Sequence, residues 1–594
     1  MLVMTAKAGK YIGRIALGAA AFTAVFLAAL ASGSCAPAHA TASDATVATE
    51  LPADTGLPRL VDTSSFWRMT DDERHAVALL ASMSDVERLG QLFMLSYGGD
   101  EPTGLLLSWI RERGLGGVKI FGWNGEDTSR LASAISTIQE AAEMGPHDVP
   151  PFIATDQEGG WVRHVKGGTS ITPGNMAIGA SAWPSDAYRS ALYIGRELSA
   201  LGITMNFAPT VDLATRPDSP IIGSRAFSSD PAQTAVLAAA WARGMADAGV
   251  AATAKHFPGH GDTVQDSHGV LPIMDVDEAT LWDRELVPYR LLAAEGVPGV
   301  MSGHLAFPAI TGSNEPASLS SRIIQGILRD RVGYDGLVIT DDLMMNGAWS
   351  PGGLAQTCER AIRAGNDILE FSRTLGLNDA EWSRLLYLYR SDPGFRARVD
   401  ESALRVIKAK LRWLLPRGHD GIRPVPDPVA DMRTPESRMF FQEQAYRSAT
   451  LLGSGNLPAR TGERVLLAGQ FSDFFAEGSR IFTDAESFRF AYLPGDLASE
   501  DELAMFRSRL ARTDSVVLCI ANPASATFAR EAVKAGKRLY VVSVLSPFFA
   551  AEFAASGLVV AVYSYTVESF RAAFAVLAGQ LPGTGRLPLM DKDL

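Results

Sequence analysis

Between Lys255 and Pro272 the chain reads KHFPGHGDTVQDSHGVLP, three histidines, two aspartates and a glutamine on a stretch whose Gly and Pro content rules out a regular helix. Asp266 and His268 stand two residues apart. On an extended segment their side chains project the same way, so the carboxylate can hold one ring nitrogen and leave the other for proton transfer. The local alternative is an Asx turn around Asp266 with His268 as a turn residue. His256, His260, Asp262, Asp266 and His268 are all metal-ligand types, but Pro258 and Gly259 interrupt the H-x-x-x-H spacing, so no helix presents both rings. Neither a metal nor an organic cofactor is expected.

Three further segments carry chemistry, as does Lys255 at the head of the first. In GLVITDDLMM a β-branched run ends at Asp341, which a buried strand would deliver rigidly as a nucleophile; one of Asp341 and Asp342 is expected to cap the next helix. In ATDQEGGWVRH, Asp156 ends an apolar run and can accept hydrogen bonds from neighbouring hydroxyls, while Gly159 and Gly160 let a ligand approach the backbone. Arg225, in IIGSRAFSSDP, can donate to a ligand oxygen. Lys255 closes an apolar run, so its ammonium needs a partner.

The elements that must position these residues recur regularly. Short apolar runs starting at Gln91, Gly117, Pro151, Thr204, Val250, Gly299, Gly336 and Asp367 alternate with amphipathic segments, which predicts a (β/α)8 barrel. Asp156, Lys255 with His256, His304 and Asp341 fall at the C-terminal ends of these strands, the rim where barrels build their sites. The barrel is expected over 64–415 and a Pro-rich linker over 416–437. RVLLAG, FAYLPG, SVVLCIA, RLYVVSV and VVAVYSY, separated by helical segments, predict a three-layer α/β sandwich over 438–594.

With these pieces in order, KHFPGHGDTVQDSHGVLP, TDQEGG, SRAFSSDP and VITDDLMM resemble glycoside hydrolase family 3, in its β-N-acetylglucosaminidase branch. The resemblance runs from MSDVERLGQLFML at Met83 through the barrel, and AGQLPGTGRLPL is similar to the close of the family's second domain. It implies a retaining double displacement with Asp341 as nucleophile and His268, oriented by Asp266, as acid/base; Asp156, Arg225, Lys255 and His256 match positions that hold the sugar. One position departs. Eight residues after Asp156 the branch usually has Arg, and here His164 follows Arg163. Either the loop is shifted by one residue or this contact differs, and His164 joins the candidate sugar contacts.

The N-terminus has Lys7, Lys10 and Arg14, an apolar run, and Ala38-His39-Ala40, the pattern of an export signal over 1–40, followed by a flexible leader over 41–63. Cys35 offers the rival of a lipid anchor, the only expected membrane contact. A formal charge of -12, with no Lys/Arg cluster, argues against nucleic acid. The expected partner is a carbohydrate with terminal β-linked GlcNAc, and the expected location periplasmic or extracellular. A phosphorylase, a β-glucosidase or β-xylosidase, and a non-catalytic sugar-binding envelope protein are the alternatives.

Overall fold

The computed structural model of the chain describes residues 72–453, 463–492 and 498–590. The expected signal segment, leader and Cys35 lie outside them.

Ten short strands build the first half: β1 (Phe93–Leu95), β2 (Gly117–Ile120), β3 (Phe152–Thr155), β4 (Gln157–Gly159), β5 (Val162–Arg163), β6 (Met205–Asn206), β7 (Ala251–Phe257), β8 (Gly299–Ser302), β9 (Leu337–Thr340) and β10 (Leu369–Phe371). Eight of them form one parallel sheet in the order β10-β1-β2-β3-β6-β7-β8-β9. It nearly closes, because Ile339 pairs with Ile368 and the Thr340 N–H donates to the Ile368 carbonyl at 2.9 Å. All eight expected strands are present. They are apolar because both faces are covered, the lumen by residues such as Met94, Phe207 and Met301 and the outside by helices such as Pro184–Ala200 and Pro231–Asp247. The hairpin β4–β5, unforeseen, leaves the barrel directly after Asp156.

The second lobe is a six-stranded sheet, β11 (Thr450–Leu452), β12 (Val465–Gly469), β13 (Glu486–Arg489), β14 (Ser515–Ile520), β15 (Arg538–Ser543) and β16 (Gly557–Ala561), ordered β11-β16-β15-β14-β12-β13. Every pair is parallel except β11 with β16. Separate apolar clusters fill its two sides, as the expected three layers require. The strand expected at FAYLPG lies earlier, at Glu486–Arg489, because Phe490 already ends the ladder with β12.

The expected linker is a strap fastened to the barrel. Arg417 donates to the Gly249 carbonyl at 2.9 Å, the Val425 N–H to Ala200 at 2.9 Å, and the Arg433 N–H to Glu197 at 2.9 Å. The helix Pro435–Ser448 starts inside it and joins the lobes: Arg447 grips Asp186 at 2.8 and 3.1 Å, and Gln444 donates to Ser190 at 2.9 Å. The tail returns to the barrel, where the Ser229 N–H donates to Pro588 at 3.0 Å. Among the described residues no helix is long and apolar enough to cross a membrane.

Candidate active site

At the C-terminal mouth of the barrel lies a cavity of about 470 Å³ lined by Asp156, His164, Arg225, Lys255, His256, His268 and Asp341. Seven of the eight residues singled out from sequence therefore converge on one pocket. The eighth, Asp266, stands behind His268.

β9 delivers Asp341 to the pocket. Its Oδ1 accepts the Asp342 N–H at 2.8 Å. Burial would raise the carboxyl, but the imidazoles of His256 and His304 outweigh it and hold the group below its ordinary value. Asp342 takes the structural part: its Oδ1 accepts the N–H groups of Met344 and Ser372, each at 3.0 Å, making a turn acid and not the expected helix cap. His304 is buried beneath them. Its Nε2 donates to the Asp342 carbonyl at 3.0 Å while Nδ1 faces the Ser318 hydroxyl at 2.8 Å, so this histidine braces the segment that presents Asp341.

His268 rides an exposed loop, with 74% of its side chain accessible. Asp266 Oδ1 binds both its Nδ1, at 2.7 Å, and its backbone N–H, at 2.9 Å. With Nδ1 occupied, Nε2 is the nitrogen left to carry a proton. The Gly347 N–H donates to the Ser267 carbonyl at 3.0 Å, tying this loop to the segment after Asp341.

The sugar-holding candidates form an interlocked ion network. Lys255 binds Glu158 at 2.6 Å and also Asp156, whose second oxygen is taken by Lys119 from β2. Arg225 clamps Glu158 with two bonds of 2.7 and 2.9 Å, so its guanidinium is a fixed wall of the pocket more than a free donor to ligand. Burial opposes the charge on Glu158, yet Arg225 and Lys255 bring its carboxyl down to about 2. Asp212, after β6, accepts the backbone N–H groups of His256 and His260 at 3.1 and 2.7 Å, and its Oδ2 lies 2.7 Å from His256 Nδ1. His256 is thereby oriented with Nε2 as its other ring nitrogen.

The hairpin settles the alternatives at 163 and 164. The His164 N–H donates to the Asp156 carbonyl at 2.9 Å and its Nδ1 lies 3.6 Å from Asp156 Oδ2, whereas Arg163 turns to Lys166 and Thr169. Burial brings the His164 imidazole down to about 4, so it faces the pocket uncharged. Gly159 and Gly160, at φ of 91° and 63°, serve the hairpin turn: a Cβ on Gly159 would meet the Thr172 hydroxyl at 2.6 Å, and no ligand need approach there.

Four site residues escaped the sequence reading. Lys119 and Glu370 are charges inside apolar strands, in GVKIFG and DILEFS, and that incongruity was the available signal. Glu158 sits within the TDQEGG already noted for Asp156, and Asp212 follows a strand as Asp156 and Asp341 do.

Glu158 also yields a stability prediction. An unfolded glutamate binds its proton near 4.5 and the folded one near 2, so the stabilisation is complete above pH 4.5 and lost as pH falls through that window. Glu158→Gln is expected to be less stable at pH 7. Its stability should also fall less steeply from pH 5 to 3, by about 1.4 kcal/mol per pH unit for one proton. Denaturant unfolding across that range measures both, and parallel slopes for variant and wild type would refute the coupling.

The glycosyl hydrolase family 3 N-terminal domain matches residues 86–408. The chain is similar to the beta-hexosaminidase A of Pseudoalteromonas piscicida, 36% identical over 306 residues, 46% of this chain and 51% of that one. It is also similar to a beta-N-acetylglucosaminidase/beta-glucosidase of Cellulomonas fimi, 32% identical over 387 residues, 63% of this chain and 65% of that one. These matches span between half and two thirds of the relatives' length. Among solved structures, a glycoside hydrolase family 3 beta-N-acetylglucosaminidase from Paenibacillus sp. str. FPU-7 superposes with a TM-score of 0.78 at 32% identity, covering 86% of this chain and 99% of that one. A beta-glucoside phosphorylase, at 22% identity and a TM-score of 0.75 over 88% of this chain and 97% of that one, shares the fold.

A nearly closed parallel barrel with a strand-borne carboxylate and a histidine–carboxylate pair on one rim pocket is the build of a glycoside hydrolase. The chain belongs to glycosyl hydrolase family 3.

Proposed function

We propose that the chain is a retaining exo-β-N-acetylglucosaminidase that releases terminal GlcNAc from peptidoglycan fragments or related β-GlcNAc glycans after export. The observation that carries the reading is that Asp341 and His268 line the same pocket, with His268 Nδ1 held by Asp266. Asp341 attacks the anomeric carbon, forming a C–O bond to the enzyme as the glycosidic C–O bond breaks. The His268 imidazolium passes its Nε2 proton to the leaving oxygen; the neutral ring then takes a proton from water as the water oxygen displaces Asp341. Two inversions leave the β configuration. Exo action is supported by the pocket's floor, where Lys119 and Glu370 block extension of the sugar chain inward.

A panel of aryl β-glycosides tests this, with and without inorganic phosphate. Turnover of the N-acetylglucosaminide is expected to exceed that of the glucoside and xyloside, with β-GlcNAc the first product seen by NMR. Preference for the glucoside would move the protein to another activity of the family, and phosphate-dependent sugar 1-phosphate would make it a phosphorylase. Release of GlcNAc from a muropeptide faster than from chitobiose is the expected mark of a peptidoglycan substrate.

A further inference from the structure

We propose that Glu370, presented by β10 on the pocket floor, is a specificity-determining residue that hydrogen-bonds a hydroxyl of the terminal sugar. This rests on the reading above that a terminal sugar occupies the pocket.

Glu370 is 2% exposed yet lines the cavity. Its Oε1 lies 3.5 Å from Lys119 Nζ, beyond hydrogen-bond range, and its Oε2 has no hydrogen-bond partner. Lys119 is engaged elsewhere, bonded to Asp156 and packed with its ammonium 4.2 Å from the Phe207 ring. Glu370 is therefore not held as one half of a tight ion pair. Across the ladder its register partner is Met94 on β1, an apolar residue, so packing alone gives no reason for a carboxyl here. A buried polar atom left unpaired is costly to a fold, and one that faces a ligand pocket is satisfied when the ligand arrives.

Glu370 shares Lys119 with Asp156, the residue expected to accept sugar hydroxyls, while Asp341 directly follows β9, which the Ile339–Ile368 bridge sets beside β10. The carboxyl thus sits between the Lys119–Asp156 side of the pocket and Asp341. Burial pushes it up to about 8, against Lys119 and with help from Asp156, Asp342 and Asp341. A carboxylic acid both donates and accepts, as a sugar hydroxyl does, and a neutral acid adds no charge beside the nucleophile.

The test is a cycle between residue and hydroxyl, using aryl N-acetylglucosaminide and its 4-deoxy and 6-deoxy analogues. Glu370→Leu is expected to lower kcat/KM on the parent substrate by roughly 30- to 100-fold. On the analogue lacking the contacted hydroxyl, wild type and variant should differ by less than about threefold. Glu370→Gln, a neutral donor and acceptor of the same length, is expected within about fivefold of wild type on the parent. If the leucine variant does not fold, Glu370→Asp, which withdraws the carboxyl by one methylene, should show the same selective loss. Equal losses on all three substrates, or no loss, overturn the proposal. Should wild type prefer a different terminal glycoside, the reading of function fails and the same cycle on that glycoside's deoxy analogues still decides the role of Glu370.

Discussion

Asp341→Ala is expected to lower kcat by roughly 10⁴-fold or more while the affinity for substrate changes little. The expectation comes from the state of each carboxylate in the pocket. Asp156 has both oxygens taken by lysines, Glu158 is clamped by Arg225 and Lys255, and Asp342 accepts two backbone N–H groups. Glu370 is pushed up to about 8, chiefly by burial, so near neutral pH it holds its proton and is a poor nucleophile. Only Asp341 combines a single backbone donor with a carboxyl held in the ionised form, and a rigid strand presents it. Loss of its side chain also opens room on the same face of the sugar. A small anion such as azide or formate should then attack from that face, restoring turnover on a substrate with a good leaving group and giving an α-glycosyl azide. Undiminished hydrolysis, or a β-azide, would discard the assignment.

The sequence made the strands legible because a parallel barrel buries both faces of each strand, which writes them as uninterrupted apolar runs. Asp341 and Lys255 were legible for the same reason, as polar residues where such runs end. What it concealed were the partnerships. Arg225 is far along the chain from Glu158, and local sequence cannot show that its guanidinium is already engaged there. Asp212 is hidden likewise, since its role is set by His256 and His260, which only the folded β6–β7 neighbourhood brings alongside. Lys119 and Glu370 were masked by their own strands, because a run such as GVKIFG reads as apolar despite its lysine. In the linker, Pro and Arg signalled a loop, and what the sequence left unread is that the arginines fasten it to the barrel.

His268→Ala is expected to cost roughly 10²- to 10⁴-fold in kcat/KM on an alkyl N-acetylglucosaminide and far less on the dinitrophenyl glycoside. The contrast follows from the chemistry, since an alkoxide needs a proton as it leaves and dinitrophenolate does not. Asp266 stands one step behind. Burial would raise its carboxyl, but the backbone and ring N–H groups of His268 prevail and keep it ionised, able to accept from Nδ1. That interaction holds the ring in the tautomer whose proton moves through Nε2. In Asp266→Asn the amide can face Nδ1 with its oxygen or its NH2, so part of the population has the wrong tautomer. The expected loss is roughly tenfold, smaller than in His268→Ala, with KM nearly unchanged. The exposed position of the pair argues that neither variant disturbs the barrel, so thermal melting should match wild type. Equal losses on the alkyl and dinitrophenyl substrates would mean that His268 does not act on the leaving oxygen.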